Sequence, residues 1–163
     1  MLNNLFVRPL EEQDYSELLE IENTIWTTEN SPAPYYYASI DEYKERSQNH
    51  LLFVATDGEK ICGFIDVHHP TPLLAHQKQW MLGIGVHPAN QANGVGKLLL
   101  DYIKQLAPSH GIHKLSLRVL DTNPRAIRFY QKNNFVQEAL FKDEFFLNDR
   151  YYNDYQFAYF VSE

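Results

Sequence analysis

The chain has very little cysteine and no long apolar run. Its 163 residues contain one cysteine, Cys62, so no disulfide can form within the chain. The apolar residues around Cys62 predict a buried thiol rather than a nucleophile. No apolar stretch approaches the ~18 residues that a membrane-spanning helix needs, and the N-terminal residues lack the apolar core of a signal peptide. We therefore expect a cytoplasmic protein with no membrane partner.

Basic residues are also scarce, because 14 Lys and Arg face 21 Asp and Glu and leave a net charge of −7. A nucleic-acid-binding protein needs a basic surface to displace counterions, so nucleic acid is not expected as a partner. An acidic chain is compatible with a cationic substrate, although acidity also serves solubility. Hydrophobic residues make up 44% of the chain, which is typical of a globular protein. The length predicts a single domain over residues 1–163.

The periodicity of apolar residues predicts a mixed fold of the α/β (α+β) type. Strands are predicted over residues 5–8, 51–56, 60–68, 79–86, 114–120, 135–147 and 151–161. Helices are predicted over residues 14–26, 39–49, 95–106 and 123–132. The turn Asp57-Gly58-Glu59 joins two β-rich runs and indicates a hairpin. We expect a central sheet of about seven strands, mixed but largely antiparallel, flanked by about four helices.

A glycine-containing loop, Gln91-Ala92-Asn93-Gly94-Val95-Gly96, lies between a predicted strand and an amphipathic helix, with Lys97 next to it. Glycine lets the backbone approach a ligand, and the free N–H groups of a first helical turn attract anions such as a pyrophosphate. An ordinary strand-turn-helix junction explains the loop equally well. The spacing fits neither a Walker A loop nor the dinucleotide fingerprint G-x-G-x-x-G.

A second block, Asn123-Pro124-Arg125-Ala126-Ile127-Arg128-Phe129-Tyr130-Gln131-Lys132-Asn133-Asn134-Phe135, follows after a helix and a strand. Together the two blocks resemble the GNAT superfamily of acyltransferases, whose patterns are Gln-x-x-Gly-x-Gly and Asn-x-x-Ala-x-x-x-Tyr-x-x-x-Gly-Phe. Asn134 stands where the family usually has glycine, and asparagine tolerates the left-handed conformation of a helix C-terminus. Many relatives carry an acid in the stretch matching Trp80-Met81-Leu82, where this chain has none.

The resemblance implies the GNAT fold and residues that would hold acetyl-CoA as co-substrate. The strand before the loop would bind the pantetheine arm, and the loop would bind the pyrophosphate. The implied residues are Ile84, Gly85, Val86, Gln91, Ala92, Asn93, Gly94, Val95, Gly96, Lys97, Asn123, Ala126 and Tyr130. Glycine within a strand, as at Gly83 and Gly85, indicates either a close backbone approach or a bulge.

Tyr130 is the expected general acid for the leaving thiolate. It follows Asn123 by about two helical turns, so both face the same side of the helix. A phenol with a pKa near 10 suits donation of a proton to sulfur. The other interpretation is packing, since most of the eleven tyrosines must be structural.

The acceptor site is expected among Trp26, Glu29, Tyr35 and Asp66, since the first three fall where GNAT proteins build the acceptor pocket. Aromatic rings with an acid suit a cationic or aromatic amine, although core packing explains the rings equally well. Candidate proton acceptors are Asp66, His68 and His87; Asp66 could simply face solvent, and His87 could only bond backbone. The loose group His68, His69 and His76 lacks a cysteine partner, so no metal is expected.

These observations predict an N-acetyltransferase that moves an acetyl group to a primary amine by direct attack in a ternary complex. The acceptor would be a small molecule, an amino acid or a peptide N-terminus. The alternative is a non-catalytic acyl-CoA sensor with the same fold, which the missing strand acid motivates. The aromatic strand 151–161 is predicted at a sheet edge, where it could pair in a homodimer or simply be covered.

Overall fold

The computed structural model describes residues 4–162, whose seven strands form one mixed sheet. The strands are Phe6–Pro9 (β1), Leu51–Thr56 (β2), Ile61–His68 (β3), Gln79–Val86 (β4), Lys114–Leu120 (β5), Val136–Leu147 (β6) and Arg150–Phe160 (β7). The helices are Tyr15–Ile25 (α1), Ile40–Arg46 (α2), Val95–Leu106 (α3) and Pro124–Lys132 (α4). This confirms the predicted fold class. The ends of the predicted domain, residues 1–3 and 163, lie outside the described residues.

The sheet separates two hydrophobic clusters because successive side chains of a strand point to opposite faces. Helices α3 and α4 cover one side, which we call the α3 face, where Ile65 and Val67 of β3 pack against Leu99 and Ile103. Helices α1 and α2 cover the other side, the α1 face, where Phe64 of β3 packs with Leu18. The predicted burial of Cys62 is confirmed.

The strand order is β1-β2-β3-β4-β5-β7-β6, and the β4–β5 pair is parallel while the others are antiparallel. The β4–β5 pairing is short and ends at Met81↔Ser116. Beyond that point β4 continues to Val86 against β3, and β5 continues to Leu120 against β7. The sheet therefore opens between the carboxyl halves of β4 and β5, just before the chain enters α3 and α4.

The predicted edge position of the last strand is wrong. Strand β7 lies between β5 and β6, and its pairing with β5 runs from Lys114↔Phe160 to Leu120↔Asp154. Phe157 and Ala158 are consequently fully buried. Strand β6, with its exposed Val136, Leu140 and Phe146, forms that edge of the sheet instead.

Two further differences are local. Helix α2 ends at Arg46, earlier than predicted, because the backbone and hydroxyl of Ser47 both donate to the Tyr43 carbonyl and close the helix. A bulge interrupts the β2–β3 hairpin, where Ala55 pairs with Gly63 but Thr56 pairs with Ile61, so Cys62 is the extra residue. Among residues 4–162, no helix combines the length and the apolar character that crossing a bilayer requires.

Candidate active site

The opening between β4 and β5 contains a cavity of ≈ 630 Å³. Strand β4, the loop that leads into α3, and one side of α4 form most of its wall, and Thr27, Glu29 and Asn30 complete the lining. All the residues that the sequence assigned to the cofactor line this cavity except Gly85 and Asn93. The two sequence blocks, about 30 residues apart, therefore meet at one site because the sheet separates there.

The two glycines of the loop serve different purposes. Gly94 is the N-cap of α3 with φ +82°, and a Cβ atom there would meet nothing within 4 Å. Its left-handed conformation favours glycine, and the space in front of it is open. A Cβ atom on Gly96 would instead lie 2.9 Å from the Phe129 ring. Gly96 thus allows α3 and α4 to pack closely. The sequence had instead suggested that this glycine makes room for a ligand.

The glycines of β4 also differ from each other. A Cβ atom on Gly85 would lie 2.3 Å from Phe64 and 2.5 Å from Ile25, so this glycine makes room for side chains of the α1 face. The β3–β4 register runs without a shift from Gly63↔Val86 to His68↔Met81, so the bulge interpretation is wrong. Gly83 has open space on the α1 face, where a Cβ atom added to it would lie 4.0 Å from its nearest neighbour, the Asp66 Cβ.

Helix α4 begins and ends as its sequence predicts. The Asn123 side chain accepts a hydrogen bond from the Ala126 N–H at 3.3 Å, and Pro124 occupies the first turn. Asn134 follows the helix with φ +67°, the left-handed conformation in which glycine is usual. The helix is therefore fixed at both ends, with Asn123, Ala126 and Tyr130 on the side that lines the cavity.

Tyr130 lies half-buried at the cavity wall, with its ring edge-on to Phe129 and Phe135 at centroid distances of 5.1 and 5.6 Å. Burial raises the pKa of its phenol above the ordinary value. Within residues 4–162 its hydroxyl has no hydrogen-bond partner. The hydroxyl is also not among the fully buried side-chain atoms that lack a partner, so it is not completely enclosed. Tyr130 thus contributes to the cavity lining a phenol whose raised pKa favours the protonated form.

Four cations line the cavity of a chain whose net charge is −7. They are Lys97 from α3 and Arg125, Arg128 and Lys132 from α4, and among the described residues Glu29 is the one acid in the lining. Sequence reasoning missed the three cations of α4, although their spacing at i, i+3 and i+7 places them on one helix face. The Arg125 guanidinium donates to the Gln91 side chain at 2.9 Å and so ties α4 to the loop.

Arg128 and Lys132 have no acidic partner in the part of the chain that the structure describes, whereas Lys97 pairs with Asp101 on its own helix. Concentrated positive charge beside a helix N-terminus is the environment that a polyphosphate needs. The cavity is therefore chemically matched to a polyanionic ligand.

The residues predicted to bind the acceptor are not all together. Glu29 lines the mouth of the cavity, and its carbonyl accepts from the Thr122 hydroxyl at 3.0 Å. Trp26 lies outside the lining and donates from its indole to Glu22 at 2.6 Å. Tyr35 is 39% exposed, bonds Glu42 and stacks under the Arg46 guanidinium, so it is a surface residue of the α2 region.

Asp66 lies on the α1 face directly opposite Gly83 and does not simply face solvent. One carboxylate oxygen contacts His50 Nδ1 at 2.7 Å and the other contacts His68 Nδ1 at 3.1 Å. The two imidazoles stack with centroids 4.3 Å apart. Desolvation raises the pKa of Asp66, but the two histidine hydrogen bonds outweigh it and hold the pKa below its ordinary value. The Asp66 hydrogen bond raises the pKa of His50.

The other histidines of the sequence prediction are separate from this cluster. His87 Nδ1 accepts from the Ala89 N–H at 3.0 Å, which is the backbone role. His69 contacts the carbonyls of His76 and Gln79, and His76 contacts Thr71, so both stabilise the loop before β4. His50, which was not predicted, joins His68 instead. His50, Asp66 and His68 are residue types that hold metals. Here, however, each imidazole lies within hydrogen-bond distance of a different carboxylate oxygen of Asp66.

Comparison with known proteins agrees with this geometry. A model of the Acetyltransferase (GNAT) family matches residues 15–135. The spermidine N(1)-acetyltransferase of Vibrio cholerae is 29% identical over 126 residues, which are 71% of this chain and 69% of that protein. The structure of smu.2055 from Streptococcus mutans superposes with a TM-score of 0.89 at 28% identity, over 96% of this chain and 99% of that one. The structure of yncA from Salmonella typhimurium, solved with its cofactor acetyl-CoA, superposes with a TM-score of 0.86 at 18% identity, over 99% of this chain and 96% of that one. The last likeness concerns the fold alone.

Proposed function

The chain belongs to the acetyltransferase (GNAT) family, and from this membership we propose that it transfers an acetyl group from acetyl-CoA to the primary amine of a small, cationic molecule. The observation that carries the proposal is the cavity between β4 and β5, with the N-terminus of α3 and four cations in its wall. Three phosphates and a thioester on a long, flexible arm match this combination of charge and open strand edge.

The pyrophosphate would lie at the first turn of α3, where free N–H groups and the helix dipole favour an anion. The pantetheine arm would lie along β4 beyond Met81. There the backbone groups directed toward β5 have no strand partner within the described residues, because the pairing has ended. An exposed strand edge readily bonds the amides of an extended ligand, as it would bond another strand. The arm would thus lead the thioester to the narrow end of the opening.

The reaction is direct attack in a ternary complex. The neutral amine attacks the thioester carbonyl carbon, the C–S bond breaks, and the acetyl group stays on nitrogen. A backbone N–H in the open part of β4 just beyond Met81 would polarise the carbonyl. The Tyr130 hydroxyl donates a proton to the departing thiolate, since the raised pKa favours the protonated phenol and Tyr130 lines the cavity.

The charge distribution supports a cationic acceptor. The cavity wall on the α3 face is basic, whereas the α1 face of the same region carries Asp66 and the buried Glu22. Glu29 adds an acid at the mouth. A polyanionic cofactor and an alkylammonium acceptor would therefore approach β4 from opposite sides, each toward charge of the opposite sign. The polyamine acetyltransferase among the relatives agrees with this class.

The test is thiol release from acetyl-CoA in the presence of an amine panel, with product identity checked by mass spectrometry. The panel contains spermidine, a free amino acid, a peptide with a free N-terminus, and an N-terminally blocked peptide with one lysine. We expect release with spermidine above all. Tight binding of acetyl-CoA without release for any amine would instead support the sensor alternative, and no binding at all would contradict both.

A further inference from the structure

The cluster of His50, Asp66 and His68 lies on the α1 face beside the start of the open part of β4, next to but outside the residues that line the cavity. The last β4–β5 pair is Met81↔Ser116, and Asp66 is opposite Gly83, two residues into the open part of β4. Because Gly83 has no side chain, nothing on β4 stands between the cluster and the opening on this face. The next cavity-lining residue of the strand, Ile84, is adjacent to Gly83.

The internal geometry of the cluster prepares two imidazoles to accept protons. Asp66 is shared, and each of its oxygens takes a hydrogen bond from one Nδ1 atom. A carboxylate at Nδ1 selects the tautomer that carries hydrogen there, which leaves Nε2 of each neutral ring as a free acceptor. The imidazoles are more exposed than the acid, with side-chain exposures of 28% and 33% against 19%. A proton taken up by the rings can therefore pass on to solvent.

The surroundings of the cluster disfavour an anionic acceptor. Glu22 of α1, Tyr43 of α2 and Tyr37 of the segment before α2 are the titratable groups that interact electrostatically with Asp66 from the elements packed above it. Glu22 accepts hydrogen bonds from Trp26 and Tyr43, and desolvation raises its pKa. None of these three groups is a cation, and the basic group of α2 that interacts with Tyr37 is Arg46. At the cluster itself an ammonium group meets one carboxylate and two imidazoles.

Resting on the proposed function, we propose that His50 and His68, oriented by Asp66, accept the proton that an alkylammonium acceptor must lose before it attacks the thioester. An α-amine with a pKa near 8 is roughly one-tenth neutral at pH 7, but an alkylamine near 10.4 is only about one part in a few thousand neutral. An alkylamine therefore gains far more from a nearby base. The cluster makes this protein an acetyltransferase for alkylamines of high pKa.

The proton balance is complete without any further reactant. The ammonium gives one proton to an Nε2 atom, and the imidazolium passes it to solvent. The amine then attacks and loses a second proton from nitrogen, while the thiolate gains one proton through Tyr130. These two proton transfers cancel in the overall reaction. The net products are the N-acetylamine, CoA as the free thiol and one proton. His50 and His68 act as general bases, and Asp66 is a positioning residue.

The experiment is the pH profile of kcat/KM for spermidine in wild type, Asp66→Asn and the double variant His50→Gln/His68→Gln. At pH 7 each variant should lose roughly 10²-fold or more, the contribution typical of a general base. The loss should shrink toward pH 10, where the amine is already neutral in solution. His113→Gln and Glu138→Gln make the same chemical changes at an exposed histidine and a paired carboxylate outside the cavity lining, and should keep the wild-type profile.

A second readout does not need turnover. In the CoA complex, the imidazole C–H resonances of His50 and His68 should shift when spermidine is added, and the raised pKa of His50 should fall toward its ordinary value in Asp66→Asn. Parallel pH profiles of variants and wild type, together with unmoved ring resonances, would overturn the proposal while leaving acetyl transfer intact. Loss of activity in a chelator, restored by Zn²⁺, would also overturn it, because the cluster would then hold a metal.

Discussion

At the scale of single residues, Tyr130 carries the most specific chemical expectation. Tyr130→Phe keeps the ring and its contacts with Phe129 and Phe135 but removes the hydroxyl of this cavity-lining residue. We expect kcat to fall by ~10²–10⁴-fold, since a general acid acts only in the transition state. Steady-state kinetics and calorimetric titration should show unchanged KM for the amine and unchanged acetyl-CoA affinity. If the rate falls only through weaker acetyl-CoA binding, Tyr130 positions the cofactor and water protonates the thiolate.

Gly94 tests the location of the pyrophosphate. Gly94→Glu should abolish acetyl-CoA binding in calorimetry, because a carboxylate would stand in open space at the start of α3. Gly94→Ala is the matched control. Both variants share the strain of φ +82°, about 1–2 kcal/mol, but alanine adds no charge. Equal affinities in a folded Gly94→Glu and in wild type would place the phosphates elsewhere.

At the scale of elements, α4 contributes a cationic face to the cavity. Arg128→Gln should weaken acetyl-CoA binding by roughly 10- to 100-fold, since charge-assisted hydrogen bonds contribute about 1.5–3 kcal/mol. It should also flatten the dependence of affinity on salt. Lys97→Gln should cost less, because Lys97 already pairs with Asp101. Lys78→Gln, an exposed cation just before the amino end of β4, should have no effect, and a loss there as large as at Arg128 would contradict the assignment.

The junction of β1 and α1 should make stability depend on pH. Arg8 bonds both oxygens of the buried Asp14 at 2.6 and 2.9 Å, and these bonds hold the pKa of Asp14 below its ordinary value. A lowered pKa in the folded state contributes stability that is complete at neutral pH and lost as pH falls through that pKa. Asp14→Asn should therefore cost roughly 2 kcal/mol at pH 7 in urea denaturation, and the difference should narrow in acid. A difference independent of pH would contradict the ion-pair account.

The elements also show how far sequence reasoning reaches. Helix α4 was predictable at both ends because Asn123, Pro124 and Asn134 act through local backbone chemistry. The His50–His68 pair was not. If the pairing of Thr56 with Ile61 continued along a regular hairpin, His50 would lie opposite Val67. Its side chain would then be on the α3 face together with that of Val67. The bulge at Cys62 shifts the register by one residue, which moves His50 opposite His68.

At the scale of the whole molecule, the separation of β4 from β5 and the placement of β7 inside the sheet depend on contacts between distant segments. Neither leaves a local pattern in the sequence. The same separation sets the charge arrangement, with cations on the α3 side of β4 and the Asp66 cluster on the α1 side. A ligand that fills the opening would therefore have the cations on its α3 side and the Asp66 carboxylate with its two histidines on its α1 side.

The most direct test of the central claim is a crystal structure of the protein with CoA and spermidine. We predict the pyrophosphate at Gly94–Lys97, the pantetheine arm along β4 beyond Met81, and the CoA sulfur within hydrogen-bond distance of the Tyr130 hydroxyl. A spermidine amine should lie on the Gly83 side, facing His50 and His68. CoA bound outside the opening between β4 and β5, or a sulfur remote from both Tyr130 and the amine, would contradict the account.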